Sequence, residues 1–425
     1  FNFSKVAMNQ KEEITAEVQI LLKEAENPLA FSRKPENVTK VGDLSRKIDT
    51  FLNDPSVEKN ERAHLLNEKS RILNLLDSYS KDAEDALTKS IKLNPGDLNT
   101  WNILGNVLWK KKDYVSARKT LESAIDQFGK NKESLRYLSM VLRFIDDPKE
   151  RTKNVAKSVE YAKEAVGQDI KDGESWYVLG NAYLHNYFAN SRKLVELQTA
   201  LKAYTQAELN SKWDNPDLYY NRGEIQLYLE EYNQAIDSYN RAHTLDESLN
   251  AKEKSAKIIE LNDAIQYAVD NKGKYKPKKL AVIVKSIPTV LKTQPKHLGD
   301  VKYTIKALED CAIGENKGCI LSCKVTNVIT KKSDVPARFV IVDFKATFGC
   351  VSIYHCNDEI YEKISEQTEI YVVNPVVKNV KFSLKDKEYN YLAVQVFDPD
   401  SIWIDANKDM TIFSPSEITH KNLPQ

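Results

Sequence analysis

The chain has 425 residues, 41% hydrophobic and 29% charged, and its 62 Lys+Arg balance 61 Asp+Glu to a net +1. Thirteen Gly and fourteen Pro exclude a collagenous or low-complexity chain. No apolar run approaches the ~18–20 residues of a membrane-spanning helix, and near-zero charge argues against a chain that coats nucleic acid along its length.

The chain opens on Phe1 rather than an initiator methionine, with no basic-then-apolar leader pattern, which leaves open whether the native N-terminus is present. Ile14, Val18, Leu21 and Leu22 make one helical stripe, and Val41, Leu44, Ile48 and Leu52 another. Residues 1–63 therefore read as N-terminal helices, a degenerate repeat and its cap. From residue 64 to 249 a 34-residue period dominates. Trp101, Leu104, Gly105, Leu108, Ala117, Leu121 and Ala124 set the pattern. Its first half recurs at Trp176, Leu179, Gly180 and Tyr183, and the pattern returns at Tyr219, Gly223, Ala235, Tyr239 and Ala242. Each unit is a pair of antiparallel helices, neither of which buries its apolar stripe alone; stacking buries both. This is the tetratricopeptide repeat pattern. Units starting at 64, 98, 132, 173 and 216 leave insertions around Asp146–Lys153 and Asn186–Glu196. Residues 250–271 read as a capping helix.

Residues 272–312 form a basic linker and helix. Between Asn271 and Gly299 there are eight lysines and no acidic residue, so the other 396 residues carry −7. Lys272, Lys274, Lys276, Lys278 and Lys279 crowd into eight positions, where mobile point charges suit phosphates; a nuclear-import signal or a solvated linker are the other readings. After residue 313 the period shortens to that of strands: Cys319–Ile329, Ala337–Lys345, Phe348–Cys356, Glu369–Ser383 and Tyr389–Phe397, with a helix at Asn357–Ile364 between the third and fourth. That is the order of an OB-fold barrel, over residues 313–408, followed by a tail, 409–425. The expected fold class is thus α+β and multidomain, an α-solenoid followed by a β-barrel.

In this repeat type, first-helix positions facing the concave side can read an extended peptide. They include Asn102, Asn106, Trp109, Arg136, Met140, Arg143, Tyr177, Asn181, Asp217, Tyr220 and Asn221. Asn can pair with both N–H and C=O of a peptide, and Arg and Asp read opposite charges. Catalytic patterns are missing: there is no Gly-rich phosphate loop, His-Glu-x-x-His helix or nucleophile elbow. Cys319, Cys323, Cys350, His355 and Cys356 invite a metal reading, but there is no Cys-x-x-Cys pair and Cys319 and Cys323 share the parity of core residues. The expectation is no enzyme, no metal and no cofactor. An odd number of cysteines, five, points to free thiols and a cytosolic or nuclear home.

Trp101–Tyr114 (WNILGNVLWKKKDY), Leu138–Arg143 (LSMVLR), Ser175–Leu184 (SWYVLGNAYL), Asn215–Arg222 (NPDLYYNR), Lys272–Leu280 (KGKYKPKKL) and His297–Gly299, with the OB-like tail, resemble one family. It is the Strap family of stress-responsive acetyltransferase cofactors, also called the tetratricopeptide repeat protein five family. The resemblance implies a non-enzymatic adaptor that binds the N-terminal Met-Arg-Glu-(Ile/Cys) of nascent tubulin, contacts ribosomal RNA and triggers decay of tubulin mRNA with mRNA-decay adaptor proteins. It carries groove roles to Arg143 and Asp217, and the ribosomal RNA contact to Lys276 and Lys278. The second reading it implies is a nuclear coactivator scaffold for tumour-suppressor regulation and histone acetyltransferases, with the barrel on chromatin or DNA.

Overall fold

In the computed structural model, residues 2–25, 31–32, 34–290, 303–332, 335–384, 386–398 and 401–405 are described, with only the backbone for residues 2–11. Lys292, Lys296, His297–Gly299 and the tail 409–425 lie outside them. The chain divides into two compact units, Phe1–Asn215 and Pro216–Gln425.

The first unit is helical: α1 (Asn2–Glu24), α2 (Pro35–Leu52), α3 (Lys59–Leu73), α4 (Lys81–Leu93), α5 (Leu98–Lys110), α6 (Tyr114–Phe128), α7 (Lys132–Leu142), α8 (Arg151–Gln168), α9 (Gly173–Asn186) and α10 (Leu194–Asn210). Side-chain N-caps start several of them. Ser80, Asp97, Asp113, Asn131 and Asp172 each accept a backbone N–H of the first turn. The repeat glycines face the following helix at very short range. A Cβ on Gly105 would lie 2.6 Å from Leu121, and one on Gly180 would lie 2.4 Å from Tyr204. The stripe Ile14, Val18, Leu21, Val41, Leu44 and Ile48 packs with Leu65, Leu66 and Ile72 into one buried cluster, so α1 and α2 cover the first full repeat. The second insertion is a π-helical turn, Tyr187–Ser191, whose Tyr187 and Phe188 are buried.

Lys110 illustrates the electrostatic cost of this packing. Its ammonium donates to the carbonyls of Asn74 (2.6 Å) and Leu76 (2.8 Å), and burial pushes its pKa down to about 8, against a small opposing effect of Asp77. A lysine depressed below its unfolded value destabilises the folded chain wherever it must stay charged. That penalty is full below about pH 8 and vanishes above the unfolded value of 10.5. Wild type minus Lys110→Met should therefore gain up to about 3 kcal/mol of relative stability between pH 8 and pH 10.5, read as paired urea midpoints; a flat difference would refute the assignment.

The second unit joins the last repeat, α11 (Pro216–Tyr228) and α12 (Tyr232–Leu245), to α13 (Ala251–Asp270), α14 (Pro277–Lys285) and the barrel. Its strands are β1 (Thr304–Lys306), β2 (Gly314–Glu315), β3 (Cys319–Val328), β4 (Ala337–Asp343), β5 (Phe348–Ile353), β6 (Glu369–Val373), β7 (Val376–Leu384), β8 (Lys387–Val396) and β9 (Ile402–Ile404), with the one-turn α15 (Ile360–Lys363) between β5 and β6. The fourth expected strand is two, broken at Asn374–Pro375, and the break sends its halves to opposite ends of the sheet. β6 pairs antiparallel with β3, whereas β7 pairs antiparallel with β8. With β3–β4–β5 antiparallel and β5–β8 parallel, the strands run β2-β7-β8-β5-β4-β3-β6-β9 in one curled sheet, with β1 on β3. Leu321, Cys323, Val325, Phe339, Ile341, Val351, Ile353, Ile370, Val372, Val394 and Val396 fill its interior.

The outer face of β4, β5 and β8 is buried as well. Arg338, Val340, Cys350, Ser352, Tyr354, Tyr391 and Ala393 alternate with the interior residues and are all at most 4% exposed. What covers them is the last repeat and α13. Glu230, in the turn between α11 and α12 at φ 58°, is 3% exposed. Its carboxylate accepts from Ser352 Oγ, Arg338 Nε (3.4 Å) and Gln395 Nε2 (3.2 Å). Lys378 donates to the carbonyls of Leu229 (2.8 Å) and Glu230 (3.1 Å), and Tyr354 to that of Tyr228 (2.8 Å). On α13, Asn262 and Asp263 accept from the Tyr391 (2.7 Å) and Tyr389 (2.8 Å) hydroxyls, and Lys387 pairs with Asp263.

Candidate peptide-binding and nucleic-acid interfaces

The groove positions of the first unit divide by how their polar atoms are used. Asn102 is 1% exposed; its Oδ1 accepts from Ser134 (2.5 Å) and its amide donates to Glu133 (3.2 Å). Arg136 pairs with Asp172 and Glu174, both at 2.7 Å. Asn181 accepts from the Tyr204 hydroxyl at 2.7 Å. These three tie one helix or repeat to the next, and reading a peptide would require them to exchange those bonds.

Asn106, Met140 and Arg143 are different, while the Tyr177 ring packs 6.2 Å from that of Tyr204. Asn106 bonds the Tyr137 phenol, whose pKa is raised by burial, but its own Oδ1 is buried without a partner, as is the Trp109 indole N–H. Met140 packs against the buried cluster that contains Val178, Leu179 and Ala182. Arg143 follows the last residue of α7 and donates Nη1 to the Val178 carbonyl (3.3 Å), while its Nε is buried and unpaired. Desolvation lowers its pKa to about 10, opposed only by the Tyr177 and Tyr204 phenols. Arg143 makes no ion pair among the described residues. A half-buried guanidinium whose Nε is buried and unpaired, with no carboxylate beside it, favours an anion that arrives from outside.

In the second unit, Asp217 lies in the first turn of α11, where the helix dipole suits a carboxylate. Asn221 is 1% exposed. The Tyr220 ring stands 5.6 Å from that of Tyr239 and carries the Lys254 ammonium at 5.7 Å, Lys254 being paired with Glu224 at 2.7 Å.

The basic segment is an ordered feature of the same unit. Lys272–Lys274 form a short 3-10 turn, and α14 starts with Pro277 in its first turn. Gly273 adopts φ 63° and its Cα packs so closely that a Cβ would meet Thr326 of β3 at 3.0 Å. The Tyr275 hydroxyl reaches Glu366 at 3.3 Å. Lys272, Lys274, Lys276, Lys278 and Lys279 are all exposed and none is ion-paired among the described residues. Lys274 lies over the Tyr267 ring (5.1 Å) and Lys279 over that of Tyr275 (4.8 Å). Sequence reasoning passed over Lys324, whose ammonium reaches Ser286 at 3.0 Å; only its outward position on β3 marked it.

The thiols are buried, Cys311 partly so. Burial raises the pKa values of Cys311 and Cys356 to about 11 and that of Cys350 to about 12. Among the described residues no group of three or more His, Cys, Asp and Glu is placed to hold a metal ion, and no helix is long and apolar enough to cross a membrane.

The model of the tetratricopeptide repeat protein 5 OB fold domain matches residues 302–411, and tetratricopeptide repeat models match residues 80–132 and 216–249; none describes a catalytic family. Mouse tetratricopeptide repeat protein 5 is 34% identical over 372 residues, covering 83% of this chain and 82% of that protein. The human protein of the same name is 33% identical over 356 residues, covering 80% and 79%. Among solved structures, a thermophilic TPR protein of Thermus thermophilus is 16% identical and covers 48% of this chain and 99% of its own, with a TM-score of 0.38.

Proposed function

This chain belongs to the tetratricopeptide repeat protein 5 family, a repeat scaffold with an OB-fold domain, and from that premise we propose that it is a non-enzymatic adaptor for nascent tubulin. Its first-helix positions hold the N-terminal Met-Arg-Glu-(Ile/Cys) of the emerging chain, while the basic segment rests on ribosomal RNA, and decay of the tubulin mRNA follows. The observation that carries the reading is Arg143, a half-buried cation whose Nε is buried without a partner and which makes no ion pair among the described residues. It suits the peptide's Glu. The family resemblance carries the role of meeting the peptide's Arg to Asp217, in the first turn of α11. Asn106 and Trp109 contribute an acceptor and a donor still unused, and Met140 an apolar surface. Lys276 and Lys278 are exposed, as phosphate contact requires.

The test is fluorescence anisotropy of a labelled Met-Arg-Glu-Ile peptide on the full chain. Arg143→Ala and Asp217→Ala should each weaken it at least tenfold. Lys276→Glu/Lys278→Glu should leave peptide affinity unchanged and reduce co-sedimentation with ribosomes several-fold. Peptide binding indifferent to Arg143 and Asp217 would overturn the proposal.

A further inference from the structure

OB-fold barrels usually bind oligonucleotides on the face of their second and third strands. Here those strands are β4 and β5, and their outward residues are covered by the chain's own last repeat. The cover is polar and specific. Glu230 neutralises Arg338, the cation on that face that a phosphate would otherwise meet, and leaves it 4% exposed. Lys378, on β7, is likewise turned to the Leu229 and Glu230 carbonyls.

Cationic surface remains elsewhere in the unit. Leu280 and Ile283 are the buried side of α14, with Ile287 buried just beyond it. The opposite side reads Lys278, Val282 and Lys285, all exposed, spaced at i, i+4 and i+7 over about 10 Å. Lys324 meets the C-terminal end of this helix through Ser286. The neighbouring carboxylates are turned to phenols, Glu366 to Tyr275 and Glu369 to Tyr371. None of Lys278, Lys285 and Lys324 is ion-paired among the described residues. Binding a single strand calls for aromatic rings on which bases stack. The two rings at this surface, Tyr267 and Tyr275, each carry a lysine ammonium instead. Among the described residues the surface thus offers a row of point charges, with one face of each of these two rings already taken by a lysine.

From this we infer that the unit meets nucleic acid through a lysine surface running from the Lys272–Lys279 turn along α14 to Lys285 and Lys324, that its ligand is the phosphate backbone of duplex RNA, and that the OB strand face is closed to oligonucleotides. The inference rests on the RNA-contact reading above and adds residues, ligand form and an excluded face to it.

The experiment measures binding of the full chain to a fluorescent RNA hairpin and to a single-stranded oligo(U) across a salt series, with ultraviolet crosslinking to map the contact. The hairpin should bind more tightly. Lys285→Glu and Lys324→Glu should each weaken hairpin binding several-fold and lower the slope of log affinity against log salt by about one. Crosslinks should fall within residues 272–286 and at 324. If Lys276→Glu/Lys278→Glu weakens the hairpin while Lys285→Glu and Lys324→Glu do not, the extended surface is wrong and the RNA contact stands. If no lysine change matters, the RNA contact itself fails. Oligo(U) bound as tightly as the hairpin overturns the duplex assignment, and crosslinks within residues 338–354 overturn the closed face.

Discussion

Glu230→Gln should lower the stability of the second unit by about 3–5 kcal/mol, the usual effect of removing one partner from a buried ion pair. The exchange keeps the shape of the side chain and removes only its charge. It leaves the guanidinium of Arg338 buried among Ser352, Tyr354 and Cys350 with nothing to neutralise it. The backbone makes a useful control. Glu230 adopts φ 58°, so Glu230→Gly relieves about 1 kcal/mol of strain. Yet it too leaves Arg338 unpaired, and the loss of the ion pair outweighs the relief. Glu230→Leu with Arg338→Met should recover part of the loss, because no charge is then left buried while Ser352 and Gln395 lose their acceptor. Since a chain of two units need not unfold in one step, the readout is hydrogen exchange over residues 337–396. Protection that survives Glu230→Gln would show that the last repeat does not hold the barrel face.

Arg143→Met should separate binding from stability in the first unit. The peptide should lose at least tenfold in affinity, as an uncompensated cation has been replaced at its anion-binding position. The apo unit should be equally stable or more stable. Burial has already lowered the guanidinium to about 10 without an ion pair to offset it, so methionine removes a penalty while filling similar volume. Because Arg143 retains partial exposure, solvent screening limits the gain to about 1 kcal/mol. Urea midpoints and peptide anisotropy on the same preparations test both halves, and a destabilised Arg143→Met would show that the cation holds the repeat together instead.

The repeats were legible because their information is local. A period of 34 and small residues at fixed places describe helix pairs that each contact only their sequence neighbours. Gly105 opposite Leu121 and Gly180 opposite Tyr204 are spacings a reader can count. The strand pattern and the order of the barrel were readable from alternation for the same reason. The split of the fourth strand was not, because β6 and β7 differ only in which distant strand each pairs with.

For the candidate site, the one-dimensional pattern picked the positions without ranking them. Asn102, Arg136 and Arg143 all sit at first-helix groove positions, yet two are spent on Ser134, Asp172 and Glu174 and one is not. Which polar atom stays unpaired depends on partners in the following repeat and is settled only when the repeats stack. Likewise, composition alone located the excess of lysine, an additive property of the chain. That Arg338 is neutralised by a residue 108 positions earlier, while Lys324 is brought to the end of α14 beside Lys285, is decided by packing across the whole second unit.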